Sequence, residues 1–351
     1  MKLTPQLPAL LGNPDRLKTL TLEDWDVLIP QARATRLMGR LAVRAEGLPD
    51  SVLPAEVRWH LAAARISAGT HAVGVKWETV RIDRVLSELG IPVVLLKGPA
   101  YMLLGLPLGR GRICQDIDLL VPRDRLADVE RCLLDHGWEV NEMEPHQERY
   151  FREWLHELPA LIHRERGTKL DVHHNILPRI DSIRIDADIL IAASLPLEGY
   201  RCLRVLTRDD MLLHSAAHLF RRGLYHSGLR DLADMDGLTR MIAGDADWDR
   251  LLKRTSDLRL GVPLFLAVRY MTLFLGTPIP PRIQRAVRKW RPLWPPLVVL
   301  DGLVRKALLP PRLDGRNRLR AVSQWILVRY PLSLWRKSIL PKLGAPWGRK
   351  R

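Results

Sequence analysis

At 351 residues the chain has room for two or three domains, and its 47% apolar content is that of an ordinary globular protein. No run of about 18 uncharged apolar residues occurs, which argues against a spanning helix, and the first 20 residues lack the apolar core and cleavage site of a signal peptide. The net charge of +16 is concentrated: residues 281–351 hold 18 Lys/Arg against two acids, so the first 280 residues are formally neutral. Cys114, Cys132 and Cys202 are too widely spaced for a disulfide framework or a zinc site and fit a reducing cytosol, so the expected location is cytoplasmic.

Residues 1–80 read as a helical N-terminal region. The segment from Pro54 to Arg65 has apolar residues at helical spacing and a proline in its first turn. Residues 81–176 alternate between helix and strand. Val80 to Leu89 is amphipathic and stops at Gly90, suited to the left-handed turn that closes a helix. Ile91 to Leu96 is a short apolar run of buried-strand type, and Lys97-Gly98-Pro99 opens a helix. Asp116 to Val121 reads as a second strand, Arg123 to Asp135 as a helix ended by His136-Gly137, and Thr168 to His173 as a third strand. Residues 177–280 read as mainly helical, with helices over 209–222, 229–242 and 248–256. Residues 281–351 form a basic tail with five tryptophans, Trp290, Trp294, Trp325, Trp335 and Trp347.

The strongest chemical signal is Asp116-Ile-Asp118-Leu-Leu-Val121. Residues i and i+2 of a strand share a face, so the two carboxylates project together while Ile117 and Leu119 turn to be buried. Paired carboxylates repel unless a cation lies between them, and a hard divalent ion such as magnesium, or manganese, meets that need. On the third strand Lys169, Asp171 and His173 share one face. If it pairs beside the second strand, Asp171 joins Asp116 and Asp118 in a three-carboxylate site that can hold metal for phosphoryl transfer. The turn at Gly98 offers backbone N–H groups to phosphates, and Lys97, Arg110 and Arg112 are candidates to neutralise a triphosphate. Each piece alone has an ordinary explanation, a solvated acid or a common turn; their conjunction in this order does not. His214 and His218, one helical turn apart, read as packing or cleft-lining residues. Arg230-Asp231-Leu-Ala-Asp234 reads equally as an intrahelical ion-pair set or as a group that orients the acceptor.

Gly90-Ile-Pro-Val-Val-Leu-Leu-Lys-Gly98, Gly109-Arg-Gly-Arg112, Asp116-Ile-Asp-Leu-Leu-Val121, Gly137-Trp138, His156-Glu-Leu-Pro159 and Asp171-Val-His-His174 together resemble a bacterial branch of the nucleotidyltransferase superfamily, the uncharacterised nucleotidyltransferase family, over about residues 50–260. The resemblance implies an α+β fold, a nucleotidyltransferase-type mixed β-sheet core with helical N-terminal and C-terminal regions. It implies that Asp116 and Asp118 bind the catalytic metals, that Asp171 completes the site, and that Gly98 opens the phosphate-contacting helix. Pro99 stands where the superfamily usually has Gly or Ser. The expected substrates are a nucleoside triphosphate, with ATP as the expected donor, and an unidentified acceptor (protein, small molecule or nucleic acid), with His173 and Arg230 on the acceptor side. Two alternatives stay open: a nucleotide-binding or regulatory module without turnover, and a binding protein whose basic tail, residues 281–351, meets RNA or an anionic surface at the inner membrane.

Overall fold

The computed structural model describes residues 7–140, 144–179, 181–222, 228–293 and 297–308. The N-terminal part is helical: α1 (Leu7–Gly12), α2 (Leu22–Ala34), α3 (Met38–Arg44) and α4 (Ala55–Leu86). Thr21 starts α2 by a reciprocal cap, its hydroxyl accepting from the Asp24 N–H while the Asp24 carboxylate accepts from the Thr21 N–H. The two helices expected over 54–65 and 80–89 are one 32-residue helix, α4. Gly69 and Gly74 do not break it, because Val57, Leu61, Ala68, Val75, Ile82 and Leu86 recur along one buried face, and packing of such a face outweighs the weak propensity of two glycines. Gly90, at φ +62°, closes the turn that follows α4, as expected.

Beyond Gly90 the chain builds one seven-stranded mixed sheet. Its strands are β1 (Val93–Leu95), β2 (Ile117–Leu120), β3 (Trp138–Val140), β4 (Leu161–His163), β5 (Lys169–His173), β6 (Leu195–Pro196) and β7 (Leu203–Val205), in the order β3-β4-β5-β2-β1-β7-β6. β2 runs antiparallel to β1 and parallel to β5, while β7 runs parallel to β1. The three strands foreseen in the sequence are the central ones together with β5. The other four are two or three residues long, too short to show a period of two. Two of them, β6 and β7, come from the region expected to be mainly helical.

Helices α5 (Lys97–Leu103), α6 (Leu126–Asp135), α7 (Pro145–Trp154) and α8 (Asp188–Ala193) connect the strands. Every residue of β1 and β2 is buried, as central strands covered on both faces must be. The Asp83 carboxylate on α4 accepts the backbone N–H groups of Arg201, Cys202 and Leu203 at 2.9–3.1 Å, fastening the long helix to the start of β7. The C-terminal helices are α9 (Arg208–Ala217), α10 (Gly228–Thr239), α11 (Asp245–Asp257), α12 (Gly261–Tyr270), α13 (Pro281–Ala286) and α14 (Leu297–Leu308).

The first part of the expected tail is packed structure. Ile283, Val287, Leu300, Val304 and Leu308 are buried, Arg282 pairs with Asp245 and Asp249, and Trp290 lies so close to Gly261 that a Cβ there would come within 2.3 Å of the indole. Residues 309–351, including Trp325, Trp335 and Trp347, lie outside the described residues, as does Trp294.

Candidate active site

The parallel pairing of β2 with β5 sets Asp118 directly opposite Asp171, at the inter-strand spacing of about 5 Å. Asp116 immediately precedes β2 and lies within electrostatic reach of Asp118. The strand pairing on which the sequence made the site conditional is present for Asp118 and Asp171, and Asp116 lies within electrostatic reach of both. Asp118 is buried, whereas Asp116 and Asp171 keep partial exposure.

Asp118 is held from two sides. Lys97 Nζ reaches its Oδ1 at 3.0 Å, and His173 Nε2 reaches the same atom at 3.0 Å. The other ring nitrogen of His173, Nδ1, lies 3.0 Å from Glu157 Oε2. An imidazole between two carboxylates donates from both nitrogens only when protonated. Burial alone would discourage that charge, but the bonds to Asp118 and Glu157 outweigh it and carry the His173 pKa up to about 9. In turn Lys97 and His173 overcome the burial of Asp118 and keep it well below the usual carboxylate range. The other two acids go the opposite way. Burial and then the Asp118 charge push Asp171 up to about 6, and the same two causes in the same order raise Asp116.

Two carboxylates whose ionisation is opposed by a third make a site short of positive charge. Both bonds to Asp118 land on Oδ1. The donor set, all carboxylate oxygen, fits a hard divalent cation such as magnesium or manganese. Glu157 and His156 were not singled out as site residues in the sequence; the only signal was the His156-Glu-Leu-Pro159 run. His156, Glu157 and His173 bring potential ligand atoms within 4.8 Å of one another, all buried. With His173 protonated between two acids, this trio reads as the brace beneath Asp118.

The cations expected around a triphosphate are distributed differently. Lys97 is at the carboxylates, with a left-handed backbone at φ +52° that few side chains accept. Arg110 is exposed and pairs with Glu46 at 2.5 Å. Arg112 is buried; its Nε bonds Asp234 at 2.8 Å and its Nη1 bonds Cys114 Sγ at 3.1 Å. The guanidinium lies against Gly98, where a Cβ would come within 2.0 Å of Arg112 Nη1 and 2.3 Å of Cys114 Sγ. The glycine is thus required by the packing of Arg112. Gly98→Ala is expected to force that buried ion pair aside and lower stability by about 1–3 kcal/mol, seen as a fall in the thermal midpoint; an unchanged midpoint would show that the loop yields freely.

Arg230, on α10, bonds Asp231 at 3.1 Å and lies within electrostatic reach of Asp116. His214 is buried behind the site, where burial and then Lys97 keep it neutral, well below the usual histidine range. His218 faces Asp231 at 3.7 Å. A cavity of about 480 Å³ opens beside Asp116, walled by His71, Trp77 and Glu78 of α4, by Arg166 of the β4–β5 turn and by Lys169 at the start of β5.

The family model described as uncharacterised nucleotidyltransferase matches residues 21–276. No curated protein matches the chain. Among solved structures, an antigenic nucleotidyltransferase-like protein from Paracoccidioides brasiliensis is 16% identical over 58% of this chain and 93% of its own, with a TM-score of 0.34. JHP933 from Helicobacter pylori is 16% identical over 68% of this chain and 93% of its own, with a TM-score of 0.29.

Proposed function

Since the chain belongs to the uncharacterised nucleotidyltransferase family, we propose that it transfers a nucleoside monophosphate from a nucleoside triphosphate, with ATP the expected donor, to an acceptor oxygen, and that Asp116, Asp118 and Asp171 hold the metal this requires. The observation that carries the reading is the alignment of Asp118 with Asp171 across β2 and β5, with Asp116 beside them. A divalent magnesium or manganese ion bound there would supply Lewis-acid charge to the reacting phosphate and to the leaving pyrophosphate. Lys97 and His173 fix the Asp118 carboxylate through its Oδ1 and hold it ionised. Asp171, ionising near pH 6, is suited to take the proton of the acceptor hydroxyl close to neutrality. The acceptor oxygen then bonds to the α-phosphorus as the bond to the bridging α–β oxygen breaks, and pyrophosphate departs in line. The cavity between Asp116, Trp77 and Lys169 is the space we assign to the acceptor.

Incubation with the four α-labelled nucleoside triphosphates and a cell extract as acceptor pool tests this reading. Transfer should require added magnesium or manganese and cease with chelator. Asp171→Ala should lower kcat by about 10²-fold or more while changing the KM for the triphosphate only slightly, because the residue serves the attacking group. If Asp171→Ala turned over normally, the proton would be leaving by another route.

One observation favours a second reading, a nucleotide-binding module without turnover: Lys97 and His173 both occupy Asp118 Oδ1, as in sites where protein cations replace a metal. Retention of unmodified labelled nucleotide with no label in any acceptor, for all four bases, would decide for it. Beyond residue 308, the basic segment has a charge suited to RNA or an anionic membrane. No helix among the described residues is long and apolar enough to cross a membrane.

A further inference from the structure

Three segments of the chain meet at the buried carboxylate of Asp234. Helix α3 reaches it through Arg40 Nη2 at 2.6 Å, the loop before β2 through Arg112 Nε at 2.8 Å, and α10 carries the residue itself. Four positions along from each of these contacts stands a second charged residue: Arg36 before Arg40, Asp116 after Arg112, and Arg230 before Asp234. The register is fixed by contact of two backbones. A Cβ on Gly39 would lie 2.4 Å from the Gly111 carbonyl oxygen, and one on Gly111 would lie 2.3 Å from that of Gly39. The start of α3, which Arg36 precedes by two residues, is therefore held against the loop that leads to Asp116. Arg36 feels the charges of Arg230, Asp116 and Asp231, and Asp116 feels that of Arg230.

We propose that Arg36 and Arg230 form the subsite for the terminal phosphates of the nucleoside triphosphate, a polyphosphate-binding pair contributed by the N-terminal and C-terminal helices on either side of the carboxylate cluster. The assignment rests on the nucleotidyltransferase reading for the identity of its ligand. It replaces Arg110 and Arg112, whose guanidinium groups are engaged by Glu46 and Asp234.

The state of Arg36 supports this. It is partly buried, and it makes no ion pair and no side-chain hydrogen bond with a described residue. Burial, and after it the like charge of Arg230, oppose its own charge. Two guanidinium groups held near each other at partial burial are unfavourable until an anion lies between them, and phosphate oxygens match guanidinium donors in geometry as well as charge. Asp116, and after it Asp231, offset only part of this, and Asp231 is bonded to Arg230.

The backbone gives an independent indication. Arg36 has φ +59°, in the left-handed region that glycine enters without steric cost. Three non-glycine residues among those described adopt positive φ, and two of them, Arg36 and Lys97, are basic residues within electrostatic reach of Asp116. Strain of this kind gathers where a side chain must be delivered to a site.

Titration calorimetry with inorganic tripolyphosphate, without divalent metal, tests the subsite directly. Wild type should bind, and Arg36→Gly should weaken binding by about tenfold, the loss of one charge-assisted contact. Arg36→Gly relieves the backbone strain, so its thermal midpoint should be no lower than that of wild type. Arg36→Lys should retain part of the affinity, and Arg230→Lys, which keeps the charge beside Asp231, should lose the bidentate part alone. The KM for the nucleoside triphosphate should rise in parallel, and adenosine binding should not respond. Tripolyphosphate that binds wild type and Arg36→Gly equally, or binds neither, overturns the subsite. If label transfer proceeds with an unaltered KM in Arg36→Gly, the subsite falls and the transferase reading stands. If tripolyphosphate binding depends on Arg36 while no acceptor is ever labelled, the subsite stands and the transferase reading falls.

Discussion

The Asp116→Asn/Asp118→Asn protein should transfer no detectable label. Both substitutions remove carboxylate oxygens that a divalent ion needs, and the charge stabilisation lost is several kcal/mol, on the order of 10³-fold or more in rate. The two single variants should separate activity from stability. Burial and then repulsion by Asp118 raise the pKa of Asp116, so Asp116→Asn should leave the thermal midpoint unchanged or slightly higher. The sequence alone suggested that relief for the pair as a whole; the structure corrects this for Asp118. Its carboxylate neutralises Lys97 and His173, which are 17% and 3% exposed. Removing one partner of a buried pair typically costs about 3–5 kcal/mol, and asparagine retains the acceptor oxygen, so Asp118→Asn should lose about 2 kcal/mol. Wild-type turnover in the double variant would end the enzymatic reading. Equal midpoints for the two single variants would show that Lys97 and His173 do not depend on Asp118.

Asp234→Ala is expected to be the most damaging single substitution for the fold. The carboxylate is 3% exposed and joins Arg40 and Arg112, themselves 8% and 4% exposed. Its pull is what keeps Arg112 above the ordinary arginine range despite complete burial. Without it two guanidinium groups remain in a low-dielectric interior with one counter-charge fewer, at a cost of about 4–5 kcal/mol. Against a total stability of about 5–15 kcal/mol, that predicts a midpoint lower by many degrees or loss of soluble protein on expression. Asp234→Asn keeps hydrogen-bond acceptance and should fall between. A midpoint within about one degree of wild type for Asp234→Ala would mean that the arginines find other partners and that the three segments are not organised by this residue.

How much of this was visible beforehand follows from the range of each interaction. The strand carrying Asp118 and the one carrying Asp171 were legible, because polar and apolar residues alternate there over enough positions to show the period. The long α4 was seen only as its two ends, since Gly69 and Gly74 interrupt its local pattern while its buried seam does not. The family was legible from the motifs taken together. Arg110 and Arg112 were placed with the phosphates on charge and proximity in sequence, yet charge does not reveal which acid a guanidinium will meet.

Local sequence was enough to fix how Asp118, Asp171 and His173 point relative to their own strands, because the alternation of side chains is built into extended backbone geometry. Tertiary structure alone decided what faces what. It set Asp118 against Asp171 through the parallel register, and brought His173 onto Asp118 across 55 positions of chain. It slid Glu157 beneath His173 and buried Arg112 on Asp234. Such partners are chosen by how helices and sheet pack around one core, and the contact of Arg40 with Asp234 across 194 positions leaves no local trace in the residues that make it.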